Sequence, residues 1–181
     1  MYMSDPSDPS LAPCCGCELG FLSYIKTSLL PITTEDVLLD LGAGDGRVCT
    51  YITTELGCRS VGVEIEPDVC DAFRGRVGSL GLGDKVKVLE GDLRDVDVEE
   101  PVEGWRTTCV YVYLLPEGLE VIKDSIGEWL RGGEGRKCVC NTWGFKGWRE
   151  RRVEKVGEFN DTLLIVYNKC SVDDSLGSDG T

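Results

Sequence analysis

One stretch constrains this chain more than any other: Val37-Leu-Leu-Asp40-Leu-Gly42-Ala-Gly44-Asp45-Gly46-Arg47. A short apolar run of strand length feeds a glycine-rich turn, and the turn opens an amphipathic stretch of helical period. Alternate glycines let a backbone approach a ligand closely, at the sheet edge where open α/β folds bind their ligands. The same alternation continues along the chain. Helices are predicted at Leu19–Leu30, Arg47–Leu56, Pro67–Leu80 and Glu117–Leu130, and strands at Val37–Leu41, Ser60–Glu64, Lys85–Glu90, Thr108–Leu114 and Lys137–Trp143. Val153–Phe159 and Thr162–Asn168, joined at Asn160-Asp161, read as a hairpin. The pattern predicts a doubly wound α/β sheet of seven strands, mostly parallel, with a C-terminal antiparallel hairpin.

A chain of 181 residues has room for one such core. Residues 1–17 and 171–181 are expected to be mobile tails around a single domain at 18–170, because the ends are rich in Ser, Asp and other small polar residues. Thirty-two acidic against nineteen basic residues give a net charge of −13, which repels phosphate backbones and anionic membranes and so disfavours nucleic acid as a partner. Histidine is absent, which removes Ser-His-Asp and Cys-His nucleophilic machinery and every His-ligated metal site.

Ten cysteines are many, but the first basic residue is Lys26 and no apolar run reaches the length of a membrane span. The expectation is an intracellular, cytoplasmic protein with reduced thiols. Cys49, Cys58, Cys70, Cys109, Cys138, Cys140 and Cys170 fall in apolar or periodic segments and are expected in the core. Cys14-x-x-Cys17 has the spacing of half a zinc clip, but no second half follows, so no metal site is expected.

The spacing of the turn separates two classes of cofactor. A dinucleotide fingerprint is Gly-x-Gly-x-x-Gly with its pyrophosphate on the helix N-terminus, whereas here the third glycine comes one residue early and Asp40 and Asp45 bracket the turn. A pyrophosphate would be repelled there, and a ligand carrying an ammonium and a sulfonium attracted. Glu64 ends the second predicted strand at the reach of a ribose diol, and Asp92 ends the third, at the place of an adenine amino group. Each acid alone also reads as a turn cap or a solvated strand end. Three acids at three successive strand ends, around one glycine turn, point to a ligand.

These residues resemble the class I S-adenosylmethionine-dependent methyltransferases, over the body from Val37 to Cys170. Within that Rossmann-like class, Asp40-Leu-Gly-Ala-Gly-Asp-Gly-Arg47, Val61-Gly-Val-Glu64, Gly91-Asp92-Leu93 and Tyr113-Leu-Leu-Pro116-Glu117 resemble a small branch. It contains the lysine methyltransferases of the ATP synthase c-subunit and the adenine nucleotide translocase, with bacterial relatives. The resemblance implies S-adenosyl-L-methionine as cofactor and S-adenosyl-L-homocysteine as product. It implies that Asp40, Gly42, Ala43, Gly44, Asp45, Gly46, Glu64, Ile65, Asp92 and Leu93 hold the cofactor, and that the acceptor is a protein lysine.

The Asn/Asp-Pro-Pro-Tyr motif of enzymes that methylate amides or base amines is absent, since the fourth strand is followed by Tyr113-Leu-Leu-Pro116. The N-terminal targeting segment of the eukaryotic lysine methyltransferases is absent too, which leaves the acceptor open. Tyr113, Trp143, Phe145 and Trp148 are the candidates for an aromatic acceptor mouth, with Tyr113 and Trp148 as the positioning residues. Trp143 to Arg152, with Lys146, Arg149, Arg151 and Arg152, is expected to bend over the site and dock an acidic target. The alternatives are a small-molecule or RNA methyltransferase on the same fold, or a cofactor-binding, non-catalytic subunit.

Overall fold

A computed structural model describes residues 32–100, 102–150, 152–156 and 162–176. The helix expected at Leu19–Leu30, the Cys14 to Cys17 segment and the Asn160-Asp161 turn lie outside the described residues. Strands β1 (Val37–Leu41), β2 (Arg59–Glu64), β3 (Val86–Glu90), β4 (Cys109–Val112), β5 (Lys137–Asn141), β6 (Arg152–Val156) and β7 (Thr162–Tyr167) form one sheet in the order β3-β2-β1-β4-β5-β7-β6. β1 to β5 are parallel, and β7 runs antiparallel to both β5 and β6. Helices α1 (Arg47–Leu56), α2 (Pro67–Ser79), α3 (Pro116–Arg131) and α4 (Lys169–Leu176) accompany the sheet. The expected seven-stranded, doubly wound architecture is the observed one.

All five residues of β1 are buried, as a parallel strand covered on both faces requires. On one face Leu39 and Leu41 join Val61, Val63, Val110 and Val112 under α3. The helix presents Leu119, Ile122, Ile126 and Trp129 at helical spacing, and burying each such side chain contributes roughly 1.5–3 kcal/mol. On the other face Leu38 and Tyr111 pack with Val48 and Ile52 of α1, and Phe73 of α2 packs with Ala43, Cys49 and Val77. Pro67 and Pro116 open α2 and α3, where the missing N–H costs nothing.

Three details differ from the sequence expectations. β5 stops at Asn141 rather than Trp143, because Thr142 adopts φ 69° and leaves the extended region. The chain from residue 171 does not begin as a tail. Helix α4 runs to Leu176, fastened where the Asn168 amide donates to Ser171 Oγ at 3.1 Å and Val172 enters the main core. Cys170 is exposed, while Cys49, Cys58, Cys70, Cys109, Cys138 and Cys140 are buried and free.

Between β3 and β4 the chain crosses the sheet face without an α-helix, as a single 3-10 turn at Leu93–Asp95 and a short bridge from Val102 to Trp105. A cavity of about 420 Å³ lies beneath this crossing, over Leu39, Val63 and Leu89, and opens towards Gly91 and Asp92. The strand order reverses beside β1, so the crevice at the carboxyl ends of β1 and β4 is the topological switch point at which such sheets bind ligands.

Candidate functional site

The glycine turn sits at that switch point and is tied to β2 by three amides. Those of Gly42 and Ala43 donate to the Val63 carbonyl at 3.0 and 2.8 Å, and that of Gly44 donates to Glu64 Oε2 at 2.9 Å. Gly46 and Gly44 have different reasons to be glycine. Gly46, at φ 74°, opens α1, and a Cβ there would run into the Phe73 ring. Gly44, at φ 55°, faces space that no described residue fills within 4 Å. Gly46 serves packing, and Gly44 borders a cradle.

Glu64 folds its carboxylate back over the end of β2. Oε1 accepts from the amides of Ile65 and Glu66 at 2.8 and 3.0 Å, and Oε2 from Gly44. A carboxylate offers about four acceptor positions, so three amides leave one for a ligand hydroxyl. Ile65 beside it is 54% exposed, an apolar surface at the rim that a flat nucleobase would cover.

Asp40 and Asp45 do not bracket the turn with equal charge. Asp45 is spanned by two guanidiniums, Arg47 Nε at 2.9 Å and Arg76 Nη2 of α2 at 2.7 Å, and Arg76 Nε also donates to the Asp45 carbonyl at 3.0 Å. The hydrogen bond from Arg47 outweighs burial and, helped by the nearby positive charges, holds the Asp45 carboxyl below its ordinary range. Its charge is spent inside the fold. Asp40 is buried, and among the described residues the Cys49 thiol donates to its Oδ2 at 3.8 Å. Burial above all pushes the Asp40 carboxyl up to about 7, and the charge of Glu64 adds to that against the Cys49 hydrogen bond.

Asp92 caps the 3-10 turn by accepting from the Arg94 amide at 2.9 Å. The Arg94 guanidinium reaches both of its oxygens, and these hydrogen bonds hold the Asp92 carboxyl down to about 2. Leu93 next to it is half-buried against the main core. The cofactor-side residues expected from the sequence therefore converge on one rim. Open space over Gly44, a free acceptor position on Glu64, exposed apolar surface at Ile65 and a second acid at Asp92 fit a nucleoside with a ribose diol and a cationic tail.

The acceptor-side candidates separate. Leu41 pairs with Val112, so Tyr113, the next residue, stands level with Gly42 at the carboxyl end of β4. Its ring stacks on Trp143, with centroids 6.1 Å apart and planes at 16°. Trp148 packs elsewhere, against Phe145 at 4.3 Å, Tyr167 at 5.6 Å and Gly127 of α3. Tyr167 pairs with Cys138, near the start of β5, so Trp148, half-buried, packs against the outside of the core below the rim. The expectation that Trp148 and the segment after it close over the site is corrected accordingly. The Arg149 amide donates to the Ser171 carbonyl at 3.4 Å, and the segment runs down the sheet edge towards α4. Arg151 lies outside the described residues. Arg76 and Thr142, which shape the rim, carried no sequence signal, since an arginine on a helix reads as a solvated side chain and threonine does not advertise positive φ.

The family described as the ANTKMT methyltransferase domain matches residues 40–152. A protein-lysine N-methyltransferase of Saccharolobus islandicus (strain REY15A) is 26% identical over 137 residues, which cover 74% of this chain and 80% of that protein. Among solved structures, an RNA methyltransferase from Salinibacter ruber in complex with S-adenosyl-L-homocysteine superposes with a TM-score of 0.74 at 26% identity, over 84% of this chain and 92% of the other. TrmK of M. capricolum, bound to S-adenosyl-homocysteine, has the same fold at a TM-score of 0.61 and 13% identity, over 82% of this chain and 67% of its own.

Proposed function

We propose, for a chain that belongs to the ANTKMT methyltransferase domain family and is a class I S-adenosylmethionine-dependent methyltransferase, that the acceptor is the side-chain amine of a protein lysine. The observation that carries this reading is the similarity to a protein-lysine N-methyltransferase across most of both chains. The cofactor supplies a methyl group already activated on a sulfonium. The protein needs to hold, align and dry the reactants rather than supply a nucleophile of its own.

Glu64 accepts from a ribose hydroxyl through its remaining lone pair, while Ile65, Asp92 and Leu93 border the base. Gly42, Ala43 and Gly44 give the close backbone approach, and Asp40 supplies negative charge beneath the cationic tail. Asp45 and Gly46 act through the turn, by its attachment to Arg76 and its packing on Phe73. Tyr113 stands beside the turn and gives the acceptor amine an apolar flank, which disfavours the charged ammonium and leaves the lone pair free to attack. Buried, free cysteines agree with a reducing, cytoplasmic setting.

The structural likeness to an RNA methyltransferase favours a second reading, with RNA as acceptor. The net charge of −13 opposes it. Radiolabelled methyl transfer into a cell extract separates the two. Label that resists ribonuclease, is released by protease and hydrolyses to methyllysine supports the first reading, and label lost to ribonuclease supports the second.

A further inference from the structure

At the carboxyl end of β5 the backbone makes a three-residue turn centred on Thr142. The Trp143 amide returns to the Asn141 carbonyl at 2.8 Å, and Thr142 has φ 69°. This form of γ-turn is rare and strained, and a β-branched residue is among the least suited to positive φ. Among the described residues the only other non-glycine with positive φ is Glu103, in an exposed turn.

The Thr142 turn is held from three sides. Its amide donates to the Leu163 carbonyl of β7 at 2.7 Å, and its hydroxyl donates to Asn141 Oδ1 at 3.0 Å. Asn141, itself buried, donates through Nδ2 to the Tyr111 hydroxyl at 2.8 Å. Strain that persists because its surroundings over-determine it clusters where a side chain must be aimed. The side chain aimed here is Trp143. Its ring is brought back across the end of β4 onto Tyr113, beside Gly42.

Resting on the lysine reading above, we propose that the edge shared by Tyr113 and Trp143 is the surface along which the acceptor's straight alkylamine chain lies, and that Thr142 is the positioning residue that keeps Trp143 there. The two rings contact each other, so the acceptor runs along the pair and not between its members. The flat apolar faces of the two rings suit the methylenes of an unbranched aliphatic amine.

Two pairs of variants test this, with the ribonuclease-treated protein fraction of an extract as acceptor and calorimetry with S-adenosylmethionine as the control. Trp143→Ala should raise the apparent KM for acceptor protein roughly three- to tenfold, the effect of losing one aromatic contact. Trp143→Phe should recover most of that, and cofactor affinity should stay level in both. Thr142→Gly adopts the positive φ without strain and should keep the acceptor KM low. Thr142→Val, similar in shape but stripped of the Asn141 bond and intolerant of positive φ, should raise it as Trp143→Ala does. A purely structural role for residue 142 predicts that Thr142→Val lowers the melting temperature while the acceptor KM stays level. Labelled protein with an unchanged KM in Trp143→Ala, or a greater loss in Thr142→Gly than in Thr142→Val, overturns this inference alone. Label entering RNA and never protein overturns the lysine reading and this inference with it.

Discussion

The Gly44 amide donates to the Glu64 carboxylate at 2.9 Å, so the acid that ends β2 also fastens the glycine turn that ends β1. The same carboxylate takes the Ile65 and Glu66 amides, which makes it the clasp of the rim as well as a ligand group. Glu64→Ala is therefore expected to act twice. Cofactor affinity should fall by about 1.5–3 kcal/mol, as for hydrogen bonds to a charged group. The melting temperature of the cofactor-free protein should fall too. Glu64→Gln keeps one accepting oxygen and should lose less of each. Calorimetry and thermal melting on the same samples check both, and an unshifted melting temperature in Glu64→Ala would show that the carboxylate is no clasp.

The glycines of the turn should answer differently to substitution. A side chain at Gly46 meets the buried Phe73 ring, and overpacking of a core costs about 1–3 kcal/mol before the strain of positive φ is added. Gly46→Ala should lower stability and, through it, activity. Gly44→Val carries the strain of a β-branched residue at positive φ but meets no described neighbour, so it should lose less stability than a bulky side chain at Gly46 while cofactor binding is lost. The decisive comparison is binding set against melting temperature. Should Gly44→Val bind normally, the space over Gly44 is not the cradle.

How far the sequence was legible follows from what each residue depends on. The order of elements, the turn and the acids at the ends of β1, β2 and β3 could be read because they rest on local pattern: an apolar run, alternate glycines, a carboxylate closing a strand. Arginines decide what Asp92 and the turn's Asp45 do. Asp45 is neutralised by Arg76 from α2, thirty-one residues away, and no local spacing announces that pairing. The aromatic segment after β5 read as one mouth because its rings are close in sequence. A single positive φ at Thr142 keeps Trp143 at the rim, while Trp148 goes down into the groove beside Gly127. Beyond Cys170 a helix stands where the composition reads as a tail, because the buried pair Ser171 and Val172 is too short a pattern to give a periodic signal.

Arg94 competes with any ligand for Asp92, since its guanidinium reaches both oxygens of the carboxylate while its amide holds the cap. The Arg94 side chain is largely exposed and Asp92 half-buried, and an ion pair with one partner in solvent is weak, so displacing the guanidinium is easy but not free. Arg94→Ala should therefore bind S-adenosylmethionine somewhat more tightly, by no more than a few-fold, and Asp92→Ala less tightly. An inosine-type analogue that lacks the adenine amino group should be indifferent to the loss of Asp92. Isothermal titration of both ligands against the two variants is the measurement, and equal losses for both ligands in Asp92→Ala would remove the contact with the amino group.

Asp40 gives the site a pH dependence whose sign can be worked out. Its carboxyl is raised from 3.8 to about 7, so between those values the folded protein holds a proton that the unfolded chain has released. Its contribution to stability is thus greatest below pH 4, declines as pH rises towards 7 and is level above. The groups that face it are the Cys49 thiol of α1 and the Glu64 carboxylate at the end of β2. Cys49 is itself pushed well above its ordinary range by burial, so it stays a neutral donor throughout. A cationic ligand above the turn favours the ionised form of Asp40, so binding below pH 7 must expel the proton. Affinity should climb between pH 5.5 and 7, by at most about tenfold per pH unit for one proton, and then flatten. Asp40→Asn should bind weakly with no such slope, and should be more stable than the parent at pH 8, where the parent carries a buried charge. Titration in two buffers of different ionisation enthalpy reads the proton directly. The parent should release close to one proton per cofactor at pH 6 and the Asn variant none, and equal proton release in both would place the titrating group elsewhere.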